Sequence, residues 1–284
     1  MTERVADINA RIDGTRQLGA VVNAMRGMAA ARVQQARGQL LAVEGYAATI
    51  ATAIGKALAM LPSVHSEGGR RATRSALVLF CAEQGFAGAF SERVLDAAAS
   101  DLTVSELFLI GTRGGAAAAE RGINACWKSP MPSHSLGVPK LADRIAEALY
   151  SHISTGEIDR LDAVFSQWQP GHGIHVERAR LFPFDMSAFP RPTDANAPLL
   201  NLASETLLSE LTADYMHAQL CNAALHAFAA ENEARMEAMA AAYNQIERQL
   251  ASLQARQRLL RQEEITAEII ELAAGETASR SDQN

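Results

Sequence analysis

The sequence is poor in cysteine and in aromatic residues, and both shortages narrow what the protein can be. Only three cysteines occur among 284 residues, Cys81, Cys126 and Cys221, and they form neither a CxxC motif nor a Cys/His ligand spacing. A disulfide framework or a zinc site is therefore not expected, and the sequence predicts buried, reduced thiols. Aromatic residues make up 5% of a chain that is 48% hydrophobic, which favours helices over an all-β core.

Positive charge and long apolar runs are also lacking. The net charge of −6 argues against a general nucleic-acid binder, which usually carries a basic footprint. No window holds 18 uninterrupted apolar residues, so the sequence predicts no membrane span, and any membrane association is expected to be peripheral. The first segment, "MTERVADINARIDG", carries early acids and no apolar core, which is not typical of a signal or transit peptide.

Proline is absent before Pro62, and residues 1–60 are dense in good helix formers such as Ala, Arg, Gln and Met. Two apolar runs in this range step by three and four residues, as expected for one stripe of a helix. The runs are Val5, Ile8 and Ile12, then Leu18, Val21, Met25 and Met28. The phase changes between Ile12 and Leu18, which we interpret as a stammer in a coiled-coil helix.

Residues 204–274 contain neither proline nor glycine, and their apolar residues follow an a/d heptad seam. The seam consists of Met236, Met239, Tyr243, Ile246, Leu250 and Leu253, continued by Gln257 and Leu260. A strict 3.5-residue period predicts a left-handed supercoil with another helix. Since the two terminal stripes cannot both remain in water, we expect the terminal helices to pair antiparallel.

The middle of the chain alternates short apolar runs with helical patterns. Residues 75–80, 105–111, 162–168 and 174–182 are predicted strands, and residues 141–154 form an amphipathic helix. Strands that alternate with helices indicate a mainly parallel sheet. The predicted fold is therefore α+α/β: a long antiparallel two-helix coiled coil from both termini with an inserted three-layer α/β domain. The predicted domains are residues 1–60, 73–190 and 203–284, the last with a short tail.

Motifs for catalysis are weak or missing. The stretch "EQGFAGAF" follows a predicted strand and precedes a helix, where phosphate-binding loops lie, but it holds only Gly85 and Gly88. It matches neither GxGxxG nor the Walker motif, and no Walker lysine is present. The seven histidines form no HExxH motif, and no GxSxG nucleophile elbow occurs. The sequence therefore predicts no catalytic, cofactor-binding or metal site.

One charge feature stands out near the C-terminus. Residues 248–262 contain four arginines and no acid, although acids are frequent on both sides. The arginines are Arg248, Arg256, Arg258 and Arg261. A charge run is usually a solvated helix face. On a helix that projects from its α/β domain, the same charges are also a candidate partner surface, and both interpretations stay open here.

Blocks near both ends of the chain carry a family resemblance. Near the C-terminus they are "ARMEAMAAA" (234–242) and, in the same ungapped register, "ITAEIIELAAG" (265–275) preceded by Arg261 and Gln262. Near the N-terminus the block is "INARIDGTRQLGAVVNAMRGMAAAR" (8–32). These blocks resemble the C-terminal signature and the N-terminal block of the F-type ATP synthase gamma subunit. The sequence departs from the family where Ala20, Val21 and Val22 replace Lys-Ile-Thr and where Arg258 stands at an asparagine, which suggests a divergent or alternative form.

The resemblance implies a non-catalytic central-stalk rotor subunit without cofactors. Its implied partners are the alpha and beta subunits of the catalytic ring, the epsilon subunit and the ring of c subunits, at the cytoplasmic face of a bacterial inner membrane. It also implies partner contacts by Met25, Met28, Arg32, Arg256, Arg258, Arg261 and Gln262. For Met25 and Met28 the alternative is the core of the intramolecular coiled coil.

Two other functions fit the same sequence pattern. A coiled-coil adaptor or scaffold protein would also need long pairing helices, and it would copurify with varied partners. A small α/β enzyme with helical oligomerisation arms would bind a ligand at the turn between Gly85 and Gly88.

Overall fold

Two long helices account for nearly half of the chain. A computed structural model describes residues 2–60, 74–103, 105–154, 158–190 and 200–281. Helix α1 spans Thr2–Met60 (59 residues), and helix α5 spans Ser204–Ser281 (78 residues). At ~1.5 Å per residue, they are about 90 Å and about 115 Å long. Helices of this length depend on packing along their sides rather than on intrinsic propensity alone.

Five strands and three further helices lie between α1 and α5 in the sequence. The strands are β1 (Ser75–Phe80), β2 (Ser105–Ile110), β3 (Trp127–Ser129), β4 (Arg160–Gln169) and β5 (Gly173–Phe182). The helices are α2 (Phe90–Ala97), α3 (Thr112–Glu120) and α4 (Val138–Ser154), with short 3-10 turns at Ser135–Gly137 and Met186–Ala188.

The strands form one sheet in the order β3-β2-β1-β4-β5. The first four are parallel, and β5 runs antiparallel to β4 across a tight turn at residues 170–172. This confirms the predicted mainly parallel sheet. Strand β3 was not predicted, because three residues are too few to show a period of two.

The chain divides into two compact units. The larger unit is Ala29–Arg235, and the smaller unit is Met1–Met28 together with Met236–Asn284. The predicted division into domains 1–60, 73–190 and 203–284 stays a prediction.

The larger unit has three layers around its sheet. Alternate residues of β1 point to opposite faces, so that Val78 and Phe80 pack with α4, α5 and part of α1. Leu77 and Leu79 pack with α2 and α3 on the other face. All four side chains are fully buried. The predicted three-layer α/β arrangement is confirmed.

Within the larger unit, the two long helices run antiparallel. The guanidinium of Arg37 on α1 lies 2.5 Å from the carboxylate of Glu233 on α5. Further along α1, Ile54 packs against Leu211 and Tyr215 from an earlier part of α5. As the residue number rises on one helix, it falls on its partner, which is the expected antiparallel pairing.

The smaller unit shows the same antiparallel pairing. Val22 of α1 packs with Met239 and Ile246 of α5, and Gln257 Nε2 donates a hydrogen bond to Asn9 Oδ1. Every residue of the predicted heptad seam of α5 is buried or half-buried. These residues are Met236, Met239, Tyr243, Ile246, Leu250, Leu253, Gln257 and Leu260. The predicted C-terminal seam is therefore confirmed.

The stammer predicted in α1 is wrong. The covered side of α1 continues through Ile8, Ile12, Thr15, Gly19 and Val22 with alternating steps of four and three. The sequence interpretation followed the large apolar side chains, and it therefore missed a seam that includes a threonine and a glycine. Gly19 packs closely against α5, since a Cβ added there would be 3.3 Å from Ile246 Cγ2.

The prediction of buried thiols holds for two of the three cysteines. Burial raises the pKa of both Cys81 and Cys221 to about 12. Cys126 is exposed, and for this residue the prediction is wrong. It directly precedes β3 at the open edge of the sheet, and its Sγ donates to the carbonyl oxygen of Leu107 at 3.1 Å.

The close approach at Gly19 gives a test of the antiparallel pairing. In a Cys126→Ser background, we expect Gly19→Cys with Ile246→Cys to form a disulfide under mild oxidation, because the two side chains would be in contact. Gly14→Cys with Ile246→Cys is the control, since a Cβ at Gly14 has no heavy atom within 4 Å. Equal cross-linking of both pairs, measured by gel shift, would contradict the register.

Candidate partner-binding surfaces

The C-terminal arginines lie on the exposed side of α5 in the smaller unit. Arg256, Arg258, Arg261 and Gln262 are all exposed. A helix turns by about 100° per residue, so Arg256 and Arg261 point about 140° apart. The positive charges therefore spread around the helix outside the half-buried seam position at Gln257. Such an arrangement can meet acidic groups that approach from more than one direction.

Large apolar side chains are exposed beside these arginines. Each of the following is more than half exposed: Leu259, Ile265, Ile269, Ile270 and Leu272. They fall within 14 residues of one helix, whereas exposed apolar residues on a monomer are usually scattered. A concentration of this kind marks an interaction surface.

A second set of exposed apolar residues lies on α1 of the smaller unit. Leu18, Val21 and Met28 are 54%, 56% and 57% exposed. Their spacing of three and seven residues places them on one side of the helix, turned away from the seam at Val22. Sequence reasoning placed Leu18 and Val21 on the buried stripe and left both interpretations of Met28 open, because it tracked hydrophobicity and not the phase set by Gly19.

Met25 lies differently from Met28. Its side chain is half-buried and packs on the cluster of Val22, Met239 and Ile246. Next to it, the guanidinium of Arg26 lies 5.8 Å from the ring centroid of Tyr243. The two interpretations of the methionines were intramolecular core and partner contact. Met25 packs in the intramolecular core, whereas Met28 is exposed.

Arg32 belongs to the larger unit and is half-buried. Its Nη1 donates a hydrogen bond to Gln84 Oε1 at 3.2 Å. This hydrogen bond connects Arg32 to the turn that follows β1.

A buried polar network surrounds the turn after β1. Glu231 of α5 accepts hydrogen bonds from the backbone N–H groups of Glu83 and Gln84 at 3.0 and 3.2 Å. Arg235, one turn further along α5, donates to the carbonyl oxygens of Gln84 and Gly85 at 3.3 and 3.2 Å. Sequence reasoning missed this network. The available signal was a glutamate and an arginine four residues apart in an alanine-rich helical segment.

The turn between Gly85 and Gly88 borders a surface cleft of about 360 Å³. Phe86 in this turn has a φ of 61° and a side chain that is 67% exposed, while Glu92 and Arg113 supply charges at the rim. Among the described residues, no group of three or more His, Cys, Asp or Glu side chains could hold a metal ion. The residues that line the cleft include no lysine, and the turn lacks the glycine pattern of a phosphate-binding loop.

Over the part of the chain that the structure describes, no helix is both long enough and apolar enough to span a membrane.

Comparisons with known proteins give a consistent result along the whole chain. The family model described as ATP synthase matches residues 4–278. The ATP synthase gamma chain of Bdellovibrio bacteriovorus is 24% identical over 288 residues, covering 96% of this chain and 97% of the relative. The ATP synthase gamma chain of Parafrankia sp. is 26% identical over 298 residues, covering 99% of both chains.

Solved structures share the fold. A chain of the Euglena gracilis mitochondrial ATP synthase rotor aligns with a TM-score of 0.65 at 14% identity, over 93% of this chain and 100% of the other. A chain from the central stalk and c-ring of the Tetrahymena thermophila mitochondrial ATP synthase aligns with a TM-score of 0.53 at 15% identity, over 78% of this chain and 99% of the other. At this identity, the likeness concerns the fold alone.

Proposed function

Because the chain belongs to the ATP synthase gamma-chain family, we propose that it is a central-stalk subunit that couples ion flow across a membrane to ATP synthesis or hydrolysis. The observation that carries this proposal is the family match over residues 4–278, which includes both long helices and the α/β elements between them. The subunit is non-catalytic, and the nucleotide chemistry belongs to other chains of the complex.

The proposed partners follow from the same assignment. The alpha and beta subunits would surround the paired helices, while the epsilon subunit and the c-subunit ring would contact the rest of the rotor. The solved structures that share the fold come from a rotor and from a central stalk with its c-ring. The subunit is peripheral to its membrane, and we place it at the cytoplasmic face of a bacterial inner membrane, because the curated relatives include bacterial gamma chains.

The surfaces that we assign to the alpha and beta subunits are the exposed residues of the smaller unit. On α5 these are Arg256, Arg258, Arg261 and Gln262 with the apolar residues between 259 and 272, and on α1 they include Met28. A methionine adapts its shape to a changing neighbour. An exposed charge pair contributes ~1 kcal/mol or less, so contacts of this kind can form and break repeatedly during rotation.

Reconstitution with the alpha and beta subunits of the same source tests the assignment. We expect the isolated chain to hydrolyse no ATP and the assembled complex to rotate it during hydrolysis. A maleimide probe on Cys126 would report the rotation in single complexes, because Cys126 is exposed whereas Cys81 and Cys221 are buried. A Cys126→Ser variant controls for labelling elsewhere. ATP turnover that follows the isolated chain through purification, or failure to assemble, would contradict the proposal.

Charge reversal tests the arginine surface. We expect Arg258→Glu with Arg261→Glu to leave assembly intact but to lower ATP synthesis at a fixed ion gradient, because weak contacts with acidic groups become repulsive. Higher salt should narrow the difference from wild type, since exposed charges are screened. Arg248→Glu is the control, because its guanidinium is already held by Gln245 on the same helix. Unchanged synthesis and hydrolysis at low salt would show that the arginines are only a solvated face.

A further inference from the structure

Apolar side chains make up most of the contact between α5 and the α/β elements of the larger unit. The buried residues of α5 in this contact include Ala223, Ala227, Leu220, Leu225 and Phe228. Burial of apolar surface holds the helix against the domain, but the hydrophobic effect is non-directional. Apolar packing alone therefore does not define a hydrogen-bonded angle between α5 and the domain.

Most hydrogen bonds between α5 and the α/β elements lie at the end of this contact, although His217 near its start also contacts α4. Glu231 and Arg235 lie one helical turn apart, so they share a face of α5. Glu231 accepts hydrogen bonds from the backbone N–H groups of Glu83 and Gln84. Arg235 donates hydrogen bonds to the carbonyl oxygens of Gln84 and Gly85. Hydrogen bonds weaken steeply when their angles change, so they oppose rotation and sliding of α5 relative to this turn.

The network continues from the turn into the α/β domain through Glu83. Its carboxylate accepts from Thr112 N at 2.9 Å and from Thr112 Oγ1 at 2.8 Å, which fixes it to the start of α3. It also accepts from Met131 N at 2.9 Å, which fixes it to the segment after β3. One turn of α5 is thus connected by hydrogen bonds to three separate segments of the α/β domain.

We propose that Glu231 and Arg235 form a torsional lock, through which torque passes between α5 and the α/β domain during rotation. The proposal rests on the rotor function proposed above. The two residues are positioning residues, since they act by fixing the angle of α5 and touch no substrate. Residues 236–281 continue the same helix, so torque generated on them reaches the α/β domain through the segment that contains the lock.

The burial of the pair supports a role beyond stability. The side chains of Arg235 and Glu231 are only 5% and 4% exposed. Replacing a buried ion pair by apolar side chains is often neutral or stabilising, because desolvation of the charges offsets their attraction. What an apolar pair of the same size cannot reproduce is the set of four directional bonds to the turn. The charges thus supply orientation, which a rotor needs more than additional stability.

The test removes the bonds without leaving a buried charge. In Glu231→Leu with Arg235→Met, both charges are lost together, so no charge is left buried, and the unfolding temperature is expected to fall less than in Glu231→Leu alone. The measurement uses a probe on Cys126 while the catalytic ring is stalled by nucleotide. We expect the angular variance of the probe to rise about threefold, because losing hydrogen bonds to charged groups changes a local equilibrium by at least threefold. ATP hydrolysis should persist, while ions pumped per ATP should fall.

Asp162→Asn is the matched control. It disrupts another buried carboxylate, whose three arginine partners belong to β4 and β5 and not to α5. We expect this variant to be less stable but to keep wild-type angular variance and wild-type pumping per ATP once assembled. An equal increase of variance in both variants would overturn the lock and indicate a general softening of the domain.

A covalent bridge provides the rescue. In a Cys126→Ser background, Arg235→Cys with Gly85→Cys places two thiols across the lock, and Gly85 has room for a side chain. We expect low pumping per ATP before treatment with a flexible bis-maleimide and recovery after it. Failure to recover, at complete cross-linking and with hydrolysis intact, would overturn the proposal.

The isolated chain separates failure of the lock from failure of the rotor function. Amide hydrogen exchange at Glu83 and Gln84 should accelerate in Glu231→Leu with Arg235→Met, because Glu231 is the acceptor for both N–H groups. Unchanged exchange would overturn the lock whether or not the chain assembles into a rotary complex. A wild-type chain that shows the protection but never assembles would instead contradict the proposed function.

Discussion

Replacing Gly114 by alanine is expected to destabilise the larger unit by about 3 kcal/mol or more, the upper range for overpacking a core. Gly114 lies in the first turn of α3, buried against the end of β1. A Cβ at this position would lie 2.0 Å from Cys81 Cβ and 3.1 Å from its Sγ. Real Cβ atoms do not approach to such a distance, so α3 would have to move away from the sheet.

The neighbouring glycine is the matched control. A Cβ at Gly115 would meet Leu109 Cδ2 at 3.7 Å, an ordinary van der Waals contact. Since alanine is favoured over glycine in a helix by ~1 kcal/mol, we expect Gly115→Ala to be neutral or stabilising. Urea unfolding of both variants, followed by circular dichroism, measures the difference. The same sign and size of effect at both positions would contradict the described approach of α3 to β1.

The second large effect is expected at Asp162. Its side chain is 2% exposed, and its carboxylate lies within 3.4 Å of the guanidinium groups of Arg160, Arg178 and Arg180. The arginine side chains are 36%, 36% and 53% exposed, so the charges left without Asp162 remain partly solvated. We therefore expect Asp162→Asn to lower the free energy of unfolding by about 1.5–3 kcal/mol at neutral pH, the range for losing hydrogen bonds to a charged group.

The pH dependence of this loss identifies its cause. Burial alone would raise the pKa of Asp162, but hydrogen bonds and charge from Arg160 and Arg178 hold it below its usual value. A carboxylate with a lowered pKa in the folded state stabilises fully above its unfolded-state pKa of ~3.9, and this contribution is lost as pH falls through the folded-state pKa. The stability difference between wild type and Asp162→Asn should therefore shrink in acid. A difference that stays constant from about pH 7 to about pH 3 would contradict the ion-pair mechanism.

The sequence allowed the long elements to be predicted, because each repeats a period often enough to be recognised. The heptad seam of α5 and the strands β1, β2, β4 and β5 were found in this way. The seam of α1 was placed wrongly. Gly19 belongs to this seam because it has no side chain, and a search for hydrophobic residues does not detect such a position. Strand β3 was missed because its three residues depend on pairing with β2 rather than on a pattern of their own.

The candidate partner surface was predictable in part, for a similar reason. The exposed arginines near the C-terminus share one helix, so their spacing alone gave their directions. The lock at Glu231 and Arg235 was not predictable, because Glu83 and Glu231 are 148 residues apart in sequence. Only folding brings a backbone turn of the sheet beside one turn of α5. Buried polar networks of this kind leave little trace in local composition.

The antiparallel pairing of α1 and α5 also has a consequence for biosynthesis. Asn9 is hydrogen-bonded to Gln257, which the ribosome adds 248 residues later. At a synthesis rate of ~5–20 residues per second, about 12 to 50 seconds pass between the synthesis of α1 and that of the part of α5 that covers its seam. During that interval, Ile8, Ile12 and Val22 lack their partners on a nascent chain. We therefore expect α1 to be a preferred substrate for chaperones that bind emerging chains, and to be released when α5 emerges.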